Sequence, residues 1–338
     1  MMRLHRRLAS IPGHADGLAL AIGNFDGVHR GHQAILRAAA IAASERALTP
    51  AAMSFEPLPR EFFARIRLDA PMPPPRLMSL TEKLGAFAYA GIREAFVPRF
   101  NAAFAGQTPD EFIARLVDMN VRWLMVGEDF RFGSKRAGDV DMLRAAGARN
   151  GFIVEAMHDI VADGQRISST AVRDALARGK LQGQLTSVNM MLGRSYTIIG
   201  RVTHGKKLGR TLGFPTANVS LGCTARQRNP AIHGVFAVRC RLVTRGLEGV
   251  AGKAGMILNG VANLGTNPVV SSENRHHLEV FLFDFSGDLY SQRLEIAFIE
   301  KIRDEQEFAS LDALVTQMHD DVGQAKNLLR MIDDGTEN

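Results

Sequence analysis

His29 and His32, three residues apart, stand just after a glycine-broken turn and just before a helical pattern, a setting in which phosphate chemistry can be done. The stretch from Leu18 to Ile35 reads LALAIGNFDGVHRGHQAI. Leu18–Ile22 is an apolar run of strand length. It breaks at Gly23 and again at Asp26-Gly27, a turn pair in which glycine takes positive φ without a Cβ clash. From Gln33 to Arg46 the pattern is helical. Free N–H groups and the positive dipole end at a helix start favour an anion. Imidazoles there donate hydrogen bonds or, when charged, neutralise phosphate oxygens. Without that setting, a histidine pair is as well explained by surface or capping duty.

Other stretches have a comparable chemistry, each beside a plainer reading. Arg166-Ile167-Ser168-Ser169-Thr170-Ala171-Val172-Arg173 places two arginines around a hydroxyl-rich helix start, with Ser169 or Thr170 as the expected cap. An ordinary N-cap would look the same. Val126-Gly127-Glu128-Asp129-Phe130-Arg131-Phe132-Gly133 follows an expected strand and also reads as a glycine turn with aromatic packing. In Gly200–Arg210, Gly205 permits close backbone approach and Lys206 adds counter-charge for phosphate; a basic β-turn is the alternative. Phe214-Pro215 must be extended, which puts the Thr216 hydroxyl and the Asn218 amide on one side. Oxygen donors so placed suit Mg2+ carrying ATP phosphates. Glu279 reads, from pattern alone, as an exposed polar residue alternating along a strand.

The elements that must position these residues fall into two textures. From Leu18 to about Met157, strand-like runs (Leu18–Ile22, Ala51–Phe55, Glu94–Pro98, Trp123–Val126, Phe152–Ala156) alternate with helical segments. Thr108-Pro109-Asp110-Glu111 has the form of a capping box with proline at the first helical position. Such alternation predicts a parallel sheet covered on both faces, with ligands beyond the carboxyl ends of its strands. Residues 1–17 read as a loose leader. Leu181–Gly193 reads as a bridge, which puts a domain boundary near 180–190. From Tyr196 to about Glu300 come Tyr196–Val202, Gly234–Val243, Ala254–Ala262, His277–Phe285 and Leu289–Ile299, punctuated by glycines, the pattern of a small barrel. A closing helix starts at Ser310 with Leu311, Leu314, Val315, Met318 and Val322 on one face.

Composition sets the outer bounds. With 338 residues, two domains are expected. No run reaches ~18 apolar residues, so no membrane helix is expected. The basic N-terminus lacks a signal-peptide core, which points to the cytoplasm. Cys223 and Cys240 have no disulfide or zinc spacing and read as reduced structural thiols. The net charge of +6 comes from scattered arginines with one tryptophan and three tyrosines, so nucleic-acid binding is not favoured.

GNFDGVHRGH, GEDFRFG and ISSTAVR, in that order, resemble the N-terminal module of bacterial bifunctional riboflavin kinase/FAD synthetases. Ser54-Phe55-Glu56-Pro57 and Pro59-Arg60-Glu61-Phe62-Phe63 resemble that family's second strand and following loop. Further on, LGFPTAN, NGVANLGTNP, LEVFLFDFSGDLY and KIRDEQEFASLDAL resemble its riboflavin kinase module. The resemblance spans roughly residues 18–330. It implies an α/β plus β chain: a Rossmann-like nucleotidyltransferase domain with a parallel sheet (1–185), then a six-stranded Greek-key β-barrel with a terminal helix (186–338). The implied activities are phosphorylation of riboflavin to FMN in the second domain and adenylylation of FMN to FAD in the first, both with ATP.

By the same resemblance Gly23, Phe25, Asp26 and Gly27 shape the adenine and phosphate turn, and His29 and His32 hold the ATP phosphates. Asp129, Arg166, Ser169, Thr170 and Arg173 position nucleotide and flavin phosphates. Glu279 is the kinase's catalytic carboxylate, taking the proton of the terminal ribityl hydroxyl, and Asn263 lies near nucleotide or flavin. Asn267, Val270, Phe281, Ser291 and Lys206 depart from residues common in the family. Two alternatives stay open at this stage: an adenylyltransferase whose barrel only senses flavin, and a basic nucleic-acid-binding barrel fused to an α/β domain. The partners expected are the small-molecule substrates, with no nucleic acid or membrane; an oligomer is left open.

Overall fold

The computed structural model describes residues 2–8, 16–66, 72–162, 164–178, 184–205, 209, 212–222, 229–243, 256–267 and 275–335. The chain divides into two compact units, Met1–Pro74 with Leu80–Ser168, and Pro75–Ser79 with Ser169–Asn338. Lys206, Cys223 and Val270 lie outside the described residues.

In the first unit β1 (Arg3–His5), β2 (Leu18–Ile22), β3 (Thr49–Met53), β4 (Glu94–Phe96), β5 (Val121–Gly127) and β6 (Ile153–Met157) form one sheet in the order β1-β4-β3-β2-β5-β6. Every pairing is parallel; a short antiparallel pair, β7 (Val161–Ala162) and β8 (Gln165–Arg166), follows β6. All five residues of β2 are buried, as befits a central strand covered on both faces. The connecting helices include α1 (Arg30–Glu45), α2 (Pro59–Ile66), α3 (Leu80–Tyr89), α4 (Ala102–Ala105), α5 (Pro109–Asp118) and α6 (Val140–Asn150). The expected capping box is present on α5: Thr108 Oγ1 accepts from Glu111 N–H at 3.2 Å, and Glu111 Oε2 accepts from Thr108 N–H at 2.8 Å. Strand order runs outward from β2 through β3 and β4, then restarts on its other side at β5. Open α/β sheets bind ligands in the crevice at such a reversal, here beyond the carboxyl ends of β2 and β5.

The leader departs from expectation. Arg3–His5 is an edge strand paired with Glu94–Phe96. The cause is a buried carboxylate: Glu94 is 1% exposed, and it accepts from Arg3 Nε at 2.8 Å and meets His5 Nε2 at 2.6 Å. Burial works against the Glu94 charge, but hydrogen bonds from His5 and Arg3 outweigh it and leave its pKa below the usual value. Its stabilising contribution is therefore complete above the ordinary carboxylate pKa, ~4.3, and is lost as pH falls through the lowered folded value. His5→Ala should cost ~2 kcal/mol at neutral pH, lowering the melting temperature of this unit by roughly 4–8 °C. The gap should close in acid, as thermal melts at pH 7 and below the lowered pKa would show; a gap that does not depend on pH would contradict this account.

The second unit opens with α7 (Ser169–Ala177) and α8 (Gln184–Leu192). Helix α7 takes in Ser169 and Thr170 as its first residues. Six antiparallel strands follow: β9 (Tyr196–Thr203), β10 (Thr216–Ser220), β11 (Gly234–Val243), β12 (Leu258–Asn267), β13 (Arg275–Leu282) and β14 (Arg293–Arg303). They close as β10-β13-β12-β11-β14-β9. Strand β12 runs further towards the C-terminus than its expected range. Its NGVANLG segment looks like a turn but pairs on both sides, and a Cβ at Gly260 would fall 2.5 Å from the Phe281 carbonyl oxygen. Helix α9 (Leu311–Gly335) ends the unit, with Ser310 Oγ accepting from Ala313 N–H at 3.2 Å.

Alternation along the strands separates two faces. Val219, Phe236, Val238, Ala262, Leu264, Leu278 and Val280 fill the barrel interior. Val235, Ala237 and Phe283 face outward and pack with Ala325 and Leu329 of α9. Cys240 is buried inside, where desolvation pushes its thiol pKa up and keeps it unreactive. Ser291, at a position where glycine is common in the family, has φ +64, the left-handed conformation that favours glycine.

Candidate functional site

The first unit builds its site at the carboxyl end of β2. Gly23 N–H donates to the Met53 carbonyl at 3.1 Å, and the chain then turns through Phe25 (φ +47), Gly27 (φ +89) and Val28 (φ +39). Phe25 and Val28 are held in a sparsely populated region, a conformation that persists only when the surroundings over-determine it. They do so here. Phe25 is fully buried, edge-on to Phe87 at 5.2 Å and to His32 at 5.2 Å. Asp26 is buried and accepts from Arg60 Nη2 at 2.5 Å. The buried Lys83 donates to the Asn24 carbonyl at 2.7 Å and to Ser54 Oγ at 2.9 Å, and Ser54 Oγ donates to the same carbonyl at 3.0 Å. Gln33 Nε2 donates to the Val28 carbonyl at 2.9 Å.

The turn delivers the two histidines to the start of α1. His29 is the N-cap, its Nδ1 accepting from His32 N–H at a long 3.4 Å. The rings stack with centroids 3.7 Å apart and planes at 20°. Gly31 lies against this pair, since a Cβ there would sit 3.2 Å from the His29 ring. The strand-turn-helix expectation therefore holds, with Gly23, Phe25, Asp26, Gly27, His29 and His32 drawn into one structure.

The loop after β5 leaves from the neighbouring strand of the crevice. Its aromatics pack, Phe112 on Phe132 at 5.2 Å and Phe130 on Phe132 at 5.9 Å. Asp129 is exposed and accepts from Arg166 Nη2 at 2.9 Å, while Arg166 Nε meets Asp159 at 2.8 Å. The hydrogen bond to Asp129 is the main reason the Arg166 pKa is raised. Ser169, Thr170 and Arg173 fall in the second unit. There Arg173 is buried, with Nε donating to the Pro75 carbonyl at 2.6 Å and Nη1 to the Ser169 carbonyl at 3.0 Å. Arg60, Ser54 and Lys83 had no individual sequence signal as site residues; only their contacts with the turn reveal them.

In the second unit the site lies on the outside of the barrel. Ladder register sets Asn218 opposite Glu279 and Glu279 opposite Asn263, a row of polar side chains across β10, β13 and β12. Thr216, one pleat further, donates Oγ1 to Glu279 Oε2 at 3.3 Å. These residues line a cleft of about 520 Å³ whose walls include Gly205, Phe214, Phe281 and residues of α9. Gly205 and Gly209 are sterically required, since a Cβ on the first would overlap the Asn218 amide and one on the second would overlap the Phe214 carbonyl. Phe281 closes one wall against Phe214, ring centroids 5.3 Å apart. Arg303 also lines the cleft and is held by Asp321 through bonds of 2.9 and 2.8 Å.

The donor set suits a hard cation that brings its own ligands. Thr216 hydroxyl, Asn218 amide and Glu279 carboxylate offer oxygens at one place. Among the described residues no group of three or more His, Cys, Asp and Glu could cage a metal. A hard cation such as Mg2+ keeps waters and phosphate oxygens and takes few protein ligands. Among the described residues no helix is long and apolar enough to cross a membrane.

Comparison with known proteins separates the two halves in the same order. Residues 11–171 match the family model described as FAD synthetase, and residues 192–329 the model described as riboflavin kinase. A bifunctional riboflavin kinase/FMN adenylyltransferase of Haemophilus influenzae is 45% identical over 96% of this chain and 98% of its own length. Proteins of the same description from Pseudomonas fluorescens and Escherichia coli K12 are 41% and 43% identical, over 97% and 90% of this chain and 98% and 90% of theirs. A solved structure from Streptococcus pneumoniae, titled a macrolide-efflux protein, superposes with a TM-score of 0.73 at 26% identity, covering 95% of this chain and 97% of that one. Two matched modules and full-length identity above 40% leave one placement: the chain belongs to the bifunctional riboflavin kinase/FMN adenylyltransferase family.

Proposed function

We infer that the chain makes FAD from riboflavin in two ATP-dependent steps, each carried by its own unit's side chains. The observation that supports this reading is that each half gathers its own, different set of polar side chains: a stacked histidine pair on a strand-to-helix turn, and a Thr–Asn–Glu row on a barrel face. A functional division at 185/186 belongs to the same reading; it is supported by matched spans that end at 171 and resume at 192.

In the barrel, Glu279 orients the terminal ribityl hydroxyl and takes its proton as the oxygen attacks the γ-phosphorus of ATP. Thr216 and Asn218 would hold Mg2+, which would neutralise charge on the transferring phosphoryl group. Gly205 lets the nucleotide phosphates approach the backbone, and Lys206 supplies counter-charge; Asn263 contacts the acceptor. In the first unit, the phosphate of FMN attacks the α-phosphorus and pyrophosphate leaves. His29 and His32, with the N–H groups at the start of α1, stabilise the charge that develops there. The turn of Gly23, Phe25, Asp26 and Gly27 seats the nucleotide, and Asp129 with Arg166 orients phosphate. No covalent enzyme intermediate is needed, since positioning and electrostatics suffice.

Incubation of the full chain with riboflavin and Mg-ATP, followed by chromatography, should show FMN first and FAD after it. Supplied FMN with ATP should give FAD and pyrophosphate. A reaction that stops at FMN, or one that consumes only supplied FMN, would remove one half of the assignment.

A further inference from the structure

One pleat beyond the reacting row, the same barrel face carries a second polar group. His277 precedes Glu279 by two residues in β13, so the two share a face, roughly 7 Å apart along the strand. Opposite His277 in β12 stands Gly265. A Cβ there would overlap the Glu305 carboxylate, so the glycine lets that carboxylate lie against the sheet. Glu305 Oε1 accepts from Asn263 Nδ2 at 3.3 Å and stands 3.9 Å from His277 Nε2. All three side chains line the cleft that holds Glu279.

The remaining atoms of these groups decide what this end of the cleft can bind. Asn263 Oδ1 and His277 Nδ1 are shielded from solvent and have no hydrogen-bond partner among the described residues. With the ring proton on Nε2, facing the carboxylate, Nδ1 is an acceptor. A buried acceptor without a donor is unfavourable, and a ligand bringing donors relieves it. Nearby cations do not change the balance. Burial lowers the pKa of both His233 and His276, Lys301 is paired with Asp304 at 2.6 Å, and the Arg303 charge is taken up by Asp321 at 2.8 Å. Acceptors beside a carboxylate repel phosphate oxygens and suit a run of hydroxyls.

We propose that Asn263, His277 and Glu305 form a hydroxyl-reading subsite for the polyol chain of the phosphoryl acceptor, with His277 setting the preference for that chain. The proposal rests on the kinase reading above. An acceptor whose terminal hydroxyl meets Glu279 lays its secondary hydroxyls over the span that separates Glu279 from His277.

The test is steady-state kinetics of the full chain with two acceptors. One is riboflavin; the other is an isoalloxazine carrying a 5-hydroxypentyl chain, which keeps the terminal hydroxyl and lacks the secondary ones. His277→Leu and Glu305→Gln should each lower kcat/KM for riboflavin at least about tenfold, ~1.4 kcal/mol, mainly through KM. The KM for ATP and the rate with the hydroxypentyl compound should change less than about twofold. His277→Gln keeps an acceptor and should restore most of the preference. FAD formation from supplied FMN serves as the control for folding. Equal losses on both acceptors, or a rise in the KM for ATP in place of that for riboflavin, would overturn the subsite. If the unsubstituted chain made no FMN, the kinase reading itself would fall, and the subsite with it, a result distinct from the other two.

Discussion

Glu279→Ala should abolish detectable FMN formation, with a fall of about 10²–10⁴-fold, the usual contribution of a positioned general base. FAD formation from supplied FMN should persist. Glu279 accepts from Thr216 Oγ1, and its place in the ladder, opposite Asn218 on one side and Asn263 on the other, puts its carboxylate in the polar row. Glu279→Gln separates geometry from basicity. The amide oxygen can still accept from Thr216, and the side chain keeps its size, but it cannot take a proton. If Gln retains near-normal turnover, Glu279 orients the acceptor without acting as a base. If Ala and Gln both leave FMN formation intact, the reacting row has been placed wrongly. Single-turnover assays with riboflavin as acceptor distinguish these outcomes, because they isolate the transfer step from product release.

His32→Ala should have the reciprocal effect, lowering FAD formation by about 10²–10³-fold, the range for removing one stabilising donor from a site of developing charge, with FMN formation unchanged. His29 requires a more careful substitution. It caps α1 as well as facing its partner at a ring separation of 3.7 Å, so His29→Ala loses both a cap and an imidazole. The cap alone is worth ~1 kcal/mol of helix stability. His29→Asn supplies a good capping oxygen and no imidazole. It should therefore melt close to the unsubstituted chain yet adenylylate poorly. An active His29→Asn variant would mean that His29 serves the helix start rather than the phosphates. Loss of both activities from either histidine would contradict separate sites.

Much of the architecture is written in short-range pattern. The run Leu18–Ile22 is a strand in both readings, and the glycine turn leads directly to the helix with the histidines at its start. The boundaries of the glycine-rich strands were less legible. Strand β12 carries Gly260 and Gly265 because the neighbouring backbone and the Glu305 carboxylate occupy the space a side chain would need. Strand β10 has too few apolar residues to announce itself, and it gains its place by pairing with β9 and β13. Ser54, Arg60 and Lys83 look like ordinary polar residues until their bonds to the turn are seen. Lys206 and Val270, two departures from the family, lie outside the described residues, and Asn267, a third, ends β12 opposite Arg275.

The sequence alone determined the two-part organisation, the chemistry available at the histidine turn, and the pairing of Thr216 with Asn218 on one strand face. These depend on residues a few positions apart, where backbone periodicity dictates geometry. Only the tertiary structure decided which distant groups share a site. Glu279 meets Thr216 across 63 positions of chain, and Glu94 draws Arg3 into the sheet across 91. Such meetings follow from strand register and barrel closure, which minimise the energy of the whole fold, so no local window contains them.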